Sequence, residues 1–115
     1  MVTFQLGSPL LDGCLLAVLA KGNAYGYSLT QQIKEIIGIS ESTLYPILRR
    51  LQREGYLAAY DQPYQGRNRR YYAITPSGLA LLDECRNDWN RYCNAIGSVL
   101  YDTGGEAAEQ EKEWV

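Results

Sequence analysis

Apolar residues recur with helical spacing over most of this chain and with a period of two over one short stretch. Leu44, Ile47, Leu48 and Leu51 fall at i, i+3, i+4 and i+7, the spacing of a helix with one buried face. At about 100° per residue, the opposite face carries Ser42, Tyr45, Pro46, Arg49 and Arg53, with Arg50 on its flank. Pro46 lacks an N–H and fits a helix only in its first turn. Capping by Ser42 would bring Pro46 close to that turn, whereas capping by Ser40 would leave it further inside. The pattern leaves both open, and Gly55 ends the helix.

Upstream, Ser8 and Pro9 read as an N-cap and first helical residue, and LLDGCLLAVLA that follows is apolar on nearly every side. In so small a chain, full burial of such a helix calls for a second chain. Gly13 marks a close helix contact, and Gly22 is read as a left-handed stop. Leu29, Ile33, Ile36 and Ile37 form the stripe of a second helix, with Ser28 and Gln31 as a capping box and Gly38 as its end. Two helices joined by a short turn, the second presenting polar residues outward, form the helix-turn-helix pattern.

Downstream, Tyr56–Asp61 and Arg69–Thr75 read as two strands of a hairpin with the longer tip QPYQGRN. Tyr72 and Ile74 share one strand face, Tyr71 and Ala73 the other. A hairpin with Arg67, Arg69 and Arg70 at its tip, placed behind a helix-turn-helix, is a wing. Thr75 and Pro76 then restart helix to about Tyr101. In it Leu82, Cys85, Trp89, Tyr92, Ile96 and Val99 step by 3, 4, 3, 4, 3, a heptad seam, and Leu81, Cys93 and Leu100 widen it. This is a dimerisation helix, with Leu82, Trp89, Tyr92, Ile96 and Val99 at its centre. The fold class is therefore α+β, mainly α: a winged helix-turn-helix over residues 1–78, a dimerisation helix over 79–101, and an acidic, disordered tail over 102–115.

Composition sharpens this picture. The net charge of the 115 residues is −2, which by itself gives no hint of nucleic acid. Between Thr43 and Ile74, however, six arginines stand against Glu54 and Asp61, a local +4 that leaves −6 for the rest. That asymmetry is a footprint for a polyanion. Histidine is absent, which excludes His-based catalysis and His-ligated metal. No acid–base or nucleophile constellation emerges, so no enzyme, cofactor or metal is expected. Cys14, Cys85 and Cys93 form no Cys-x-x-Cys pair and read as reduced thiols of a cytoplasmic protein. No apolar run reaches membrane-spanning length.

Three ordered motifs, LLAVLAKGNAYGYSL, STLYPILRRLQREGYL and GRNRRYYAITPSG, resemble the PadR family of bacterial transcriptional regulators over roughly Leu10 to Leu82. The single C-terminal helix resembles the small subgroup of that family. The resemblance implies a homodimeric repressor on a palindromic operator of double-stranded DNA. It places Ser42, Thr43, Tyr45, Arg49 and Arg50 on the recognition helix, Arg67 and Arg69 on the wing, and Tyr25 and Tyr27 beside the helix that braces the DNA backbone. It also implies a planar aromatic ligand held between protomers at Trp89, with Cys85, Tyr92 and Leu15 beside it. Equally, Trp89 serves only to fill the seam. Two other readings use the same fold: a protein–protein adaptor with a basic face, and a thiol sensor cross-linked through Cys85 or Cys93.

Overall fold

Four leucines of the first helix, Leu11, Leu15, Leu16 and Leu19, are at most 5% exposed within a single chain. The computed structural model describes residues 7–102. In it α1 (Ser8–Ala20) packs these leucines on Leu29 and Ile33 of α2 (Gly26–Ile37) and on Leu44, Ile47, Leu48 and Leu51 of α3 (Glu41–Arg53). The core of α1 therefore needs no second chain, contrary to the sequence reading. Of the apolar run, Leu10, Cys14, Ala17 and Val18 remain partly exposed and Ala20, at the helix end, is exposed. Each fully buried leucine contributes about 1.5–3 kcal/mol, so this cluster dominates the stability of the unit.

The helix boundaries follow from the termini. Gly7, not Ser8, is the N-cap of α1, and Pro9 sits in its first turn. Lys21 and Gly22 end the helix by donating to Val18 and Leu19 carbonyls, without a left-handed cap. The Ser28–Gln31 box does not form, because α2 starts at Gly26 with Tyr25 as N-cap and the Gln31 amide donates to Glu41 instead. Gly38 stops α2 at φ 82°, as its sequence position implies. Ser40 caps α3. Pro46 thus lies inside the helix and removes the bond that would have ended on the Ser42 carbonyl. At the far end Gly55 turns left-handed (φ 86°), while its N–H and that of Tyr56 return to Gln52 and Leu51. This pairing is a Schellman stop.

The sheet has three antiparallel strands in the order β1-β3-β2, where β1 is Ala24–Tyr25, β2 is Leu57–Tyr64 and β3 is Arg67–Ile74. The sequence reading missed β1, which pairs only with Tyr71 and Tyr72. The hairpin is also longer and tighter than read. Its strands run through Pro63 to a two-residue turn, Gln65 at φ 52° and Gly66 at φ 79°. Positive φ at both central residues is the type I′ geometry that matches strand twist. Leu57, Tyr72 and Ile74 face the helices, and Tyr60, Tyr64, Arg69 and Tyr71 occupy the other face.

The fourth helix, α4 (Pro76–Leu100), begins with a side-chain cap, the Gly78 N–H donating to the Thr75 hydroxyl at 3.1 Å. The Thr75 and Ser77 hydroxyls both donate to the Gly55 carbonyl, at 2.7 and 2.9 Å, tying the end of α3 to the start of α4. The chain divides into two compact units, the first ending at Cys85 and the second starting at Arg86. The first unit thus extends past the expected limit at residue 78 and includes Leu82, which is 2% exposed in the core. Leu82 has no surface left for a partner, so it leaves the dimerisation seam read from its spacing. Gly13 is the close contact its sequence position implied: a Cβ there would overlap Sγ of Cys85. In the second unit Trp89, Tyr92, Ile96, Val99 and Leu100 are exposed. The acidic tail beyond Asp102, including Trp114, lies outside the described residues.

Candidate nucleic-acid interface

The outward face of α3 is assembled by what the inward face consumes. With Leu44, Ile47, Leu48 and Leu51 buried, Ser42, Thr43, Pro46, Arg49 and Arg53 are exposed and Tyr45 is half-buried. At the helix start, the Ser40 hydroxyl lies 2.9 Å from that of Ser42 and 3.2 Å from that of Thr43. Glu41 looks back to α2, accepting from Gln31 and pairing with Lys34 at 3.5 Å. The Gln31 hydrogen bond, aided by Lys34, lowers the Glu41 carboxyl below its ordinary range. This contact ties the start of α3 to α2.

The arginines separate into two kinds. Arg50 donates to Asp12 of α1 at 2.5 Å and to Glu54 at 3.2 Å, and the Asp12 bond raises its pKa further. It is an internal strut between α1 and α3, although the family resemblance groups it with the recognition-helix contacts. Among the described residues, Arg49, Arg53 and Arg67 enter no ion pair. Arg70 pairs loosely with Asp61 at 3.7 Å, with both side chains more than half exposed.

Arg49 opens onto a cleft of about 320 Å³ lined by Tyr25, Gly26, Tyr27, Tyr45, Arg70 and Tyr72. Four elements meet there: α3, β1, the start of α2, and β3. Gly26 sits closely packed at the seam: a Cβ there would stand 3.0 Å from the Tyr72 ring, which would have to shift. Two guanidinium groups and the phenols of Tyr25, Tyr27 and Tyr45 give the cleft the chemistry of an anion site with aromatic walls. Sequence reading had assigned Tyr25, Tyr27, Tyr45 and Arg49 to the interface. It places Arg70 at the wing tip but not with this cluster, and it leaves Tyr72 out, although alternation along β3 places those two on one face.

Arg67 is exposed next to the hairpin turn. Arg69 is half-buried instead, its guanidinium 3.6 Å from the centre of the Tyr64 ring and 4.5 Å from that of Tyr25. The residues expected beside a ligand differ in exposure. Trp89 and Tyr92 are 46% and 63% exposed, Cys85 is half-buried with Sγ 3.7 Å from the Pro9 carbonyl, and Leu15 is 0% exposed in the core. Leu15 therefore has no surface to offer a ligand. Cys14 has its thiol pushed up by burial and then by Cys85, which keeps it protonated and unreactive.

A three-helix core, a two-helix motif with a polar second helix and a cationic β-hairpin behind it define the winged-helix class of DNA-binding proteins. Residues 15–84 match the model of the transcriptional regulator PadR-like family. This chain belongs to that family of transcriptional regulators. It is 39% identical to a solved protein of Streptococcus mutans, with a TM-score of 0.79 over 87% of this chain and 94% of that one. A PadR-like transcriptional regulator of Bacillus cereus is 30% identical, with a TM-score of 0.71 over 79% and 91% of the two chains. A transcriptional regulator of Mycobacterium tuberculosis is 40% identical over 68 residues, 58% of this chain and 64% of that protein. No helix among the described residues is long and apolar enough to cross a membrane.

Proposed function

We propose that the chain acts as a homodimeric repressor, in which α3 enters the major groove of a palindromic operator and the hairpin follows the backbone. The observation that carries this reading is the placement of Arg49. It is unpaired among the described residues, exposed on the polar face of α3, and opens onto the cleft it shares with Arg70. A phosphodiester seated there would be held by two guanidinium groups and by the phenols around them, fixing the helix in register. Ser42 and Thr43, at the leading end of α3, would then face base edges, and Arg67 would reach the adjacent minor groove. Arg50 and Arg69 are left out of this set, because internal partners occupy them.

The exposed stripe Trp89, Tyr92, Ile96, Val99 and Leu100 supports a dimer through α4. Two-fold symmetry would set the recognition helices about 34 Å apart, one turn of duplex. A flat aromatic ligand stacked on Trp89 would alter that spacing and release the operator.

Fluorescence anisotropy on DNA from upstream of the protein's own gene, with a scrambled duplex as competitor and a salt series, tests the reading. Competitor-resistant binding with a steep salt slope supports it. Equal, weak binding to both duplexes over a panel of upstream fragments would reject it.

A further inference from the structure

We propose that Arg69 is the pin that sets the wing against the helix-turn-helix, and that it works through Tyr64 and Tyr25 rather than through a DNA phosphate. The inference rests on the DNA-binding reading only for its functional consequence. Strand β1 covers β3 at Tyr71 and Tyr72 alone, so the outer half of the hairpin, from Asp61 and Arg70 to the turn, is two-stranded. A two-stranded ribbon is marginal on its own, and its tip would swing. Arg69 lies in this outer half, level with Gln62 and adjacent to the Tyr64–Arg67 pair. Its guanidinium lies over both the ring of Tyr64, at the wing tip, and that of Tyr25, the N-cap residue of α2. One cation thus bridges the free end of the wing to the start of a core helix.

The bridge is anchored further inward. The Tyr25 ring lies 5.8 Å from that of Tyr71, which stacks on Tyr60 at 5.6 Å and an interplanar angle of 17°. The Tyr60 hydroxyl accepts from the Asn23 amide at 3.1 Å, in the link between α1 and β1. Arg67, two residues away, remains free to meet DNA because Arg69 holds the turn in place. Arginine suits this role, since its planar cation stacks on aromatic faces where a lysine ammonium does not.

Tyr64→Ala, Tyr64→Phe, Arg69→Ala and the Tyr64→Ala/Arg69→Ala double variant test it in two ways. Without DNA, NMR should show the Arg69 side-chain protons shifted upfield by the rings. Tyr64→Ala should relax that shift and raise fast motion at the Gln65 and Gly66 amides, and Tyr64→Phe should preserve both. With DNA, Tyr64→Ala and Arg69→Ala should each weaken binding by about two- to tenfold, and the double variant no further. The salt slope should stay at the wild-type value in all of them. A slope reduced by about 0.9 in Arg69→Ala means a lost phosphate contact and overturns the proposal. Arg69 resonances unchanged in Tyr64→Ala overturn it equally. If the wild-type protein binds no operator, the NMR arm still decides the pin, and it is the repressor reading that falls.

Discussion

The Arg50 guanidinium meets the Asp12 carboxylate at 2.5 Å, joining the polar flank of α3 to α1, 38 residues away in sequence. The two side chains are 30% and 13% exposed, so the pair is largely shielded. Arg50→Ala should cost about 1–2 kcal/mol, the range of a charged hydrogen bond discounted for its exposed side. Urea denaturation measures this. The salt dependence of operator binding should stay as in the wild type.

Arg49 and Arg67 predict the opposite. Neither has an internal ion partner among the described residues, so Arg49→Ala and Arg67→Ala should leave the urea midpoint in place. Each should weaken operator binding by about 1–3 kcal/mol and flatten the salt slope by about one. Anisotropy at three salt concentrations separates these two arginines from Arg50.

Gly78 and Gly97 lie on the same helix and should respond to alanine with opposite signs. A Cβ at Gly78 would overlap the Tyr56 carbonyl oxygen and crowd Ile74, whereas one at Gly97 meets nothing nearer than 3.8 Å. Backbone cannot yield as a side chain does, so Gly78→Ala should destabilise the protein by about 1–3 kcal/mol. Gly97→Ala should stabilise it by about 0.5–1 kcal/mol through helix propensity. Thermal melts followed by circular dichroism read both.

The Glu41 contact predicts an acid limb in the stability curve. Its hydrogen bond from Gln31, with the charge of Lys34, lowers the folded pKa below the ordinary 4.5. Stability from this carboxylate is therefore present above about pH 4.5 and is lost as pH falls through the lower folded value. Glu41→Gln should flatten that part of the curve, as urea midpoints between pH 3 and 6 (roughly the window in which the group titrates) would show.

Thiol reactivity should rank with environment. Cys93 is exposed, whereas burial and Cys85 hold the Cys14 thiol above its ordinary pKa of 9.0. At about pH 8, iodoacetamide should modify Cys93 well before Cys14, as peptide mass spectrometry would report. A faster Cys14 would contradict the burial that raises its pKa.

The helices of the core and the cap at Thr75 were legible because a 3.6-residue stripe and a local capping residue are written into adjacent positions. What stayed hidden depended on residues far apart in sequence. Arg50 and Arg49 are neighbours with the same charge; the flank position of Arg50 and Glu54 four residues on are written locally, but its partner Asp12 lies 38 residues away. Arg69 reads as a wing cation until the rings of Tyr25 and Tyr64 are brought under its guanidinium. Leu82 and Leu15 have the spacing and apolarity of interface residues, yet the first unit encloses both. Strand β1 is two residues long and carries no period to detect. Pro63 and the polar run around it imitate a loop, although the chain there is strand.

Pro63 also shapes how the molecule meets others of its kind. The two-residue turn makes Tyr64 and Arg67 a hydrogen-bonded pair, so Pro63, opposite Asn68, falls at the next, non-bonded position. Its nitrogen therefore points away from β3, along the open margin of the sheet where β2 lies outermost. An N–H at that point would be the donor an incoming strand needs, and proline has none. The hairpin is thereby shielded from recruiting a further strand, and crowded copies of this protein are kept from zipping together along their wings.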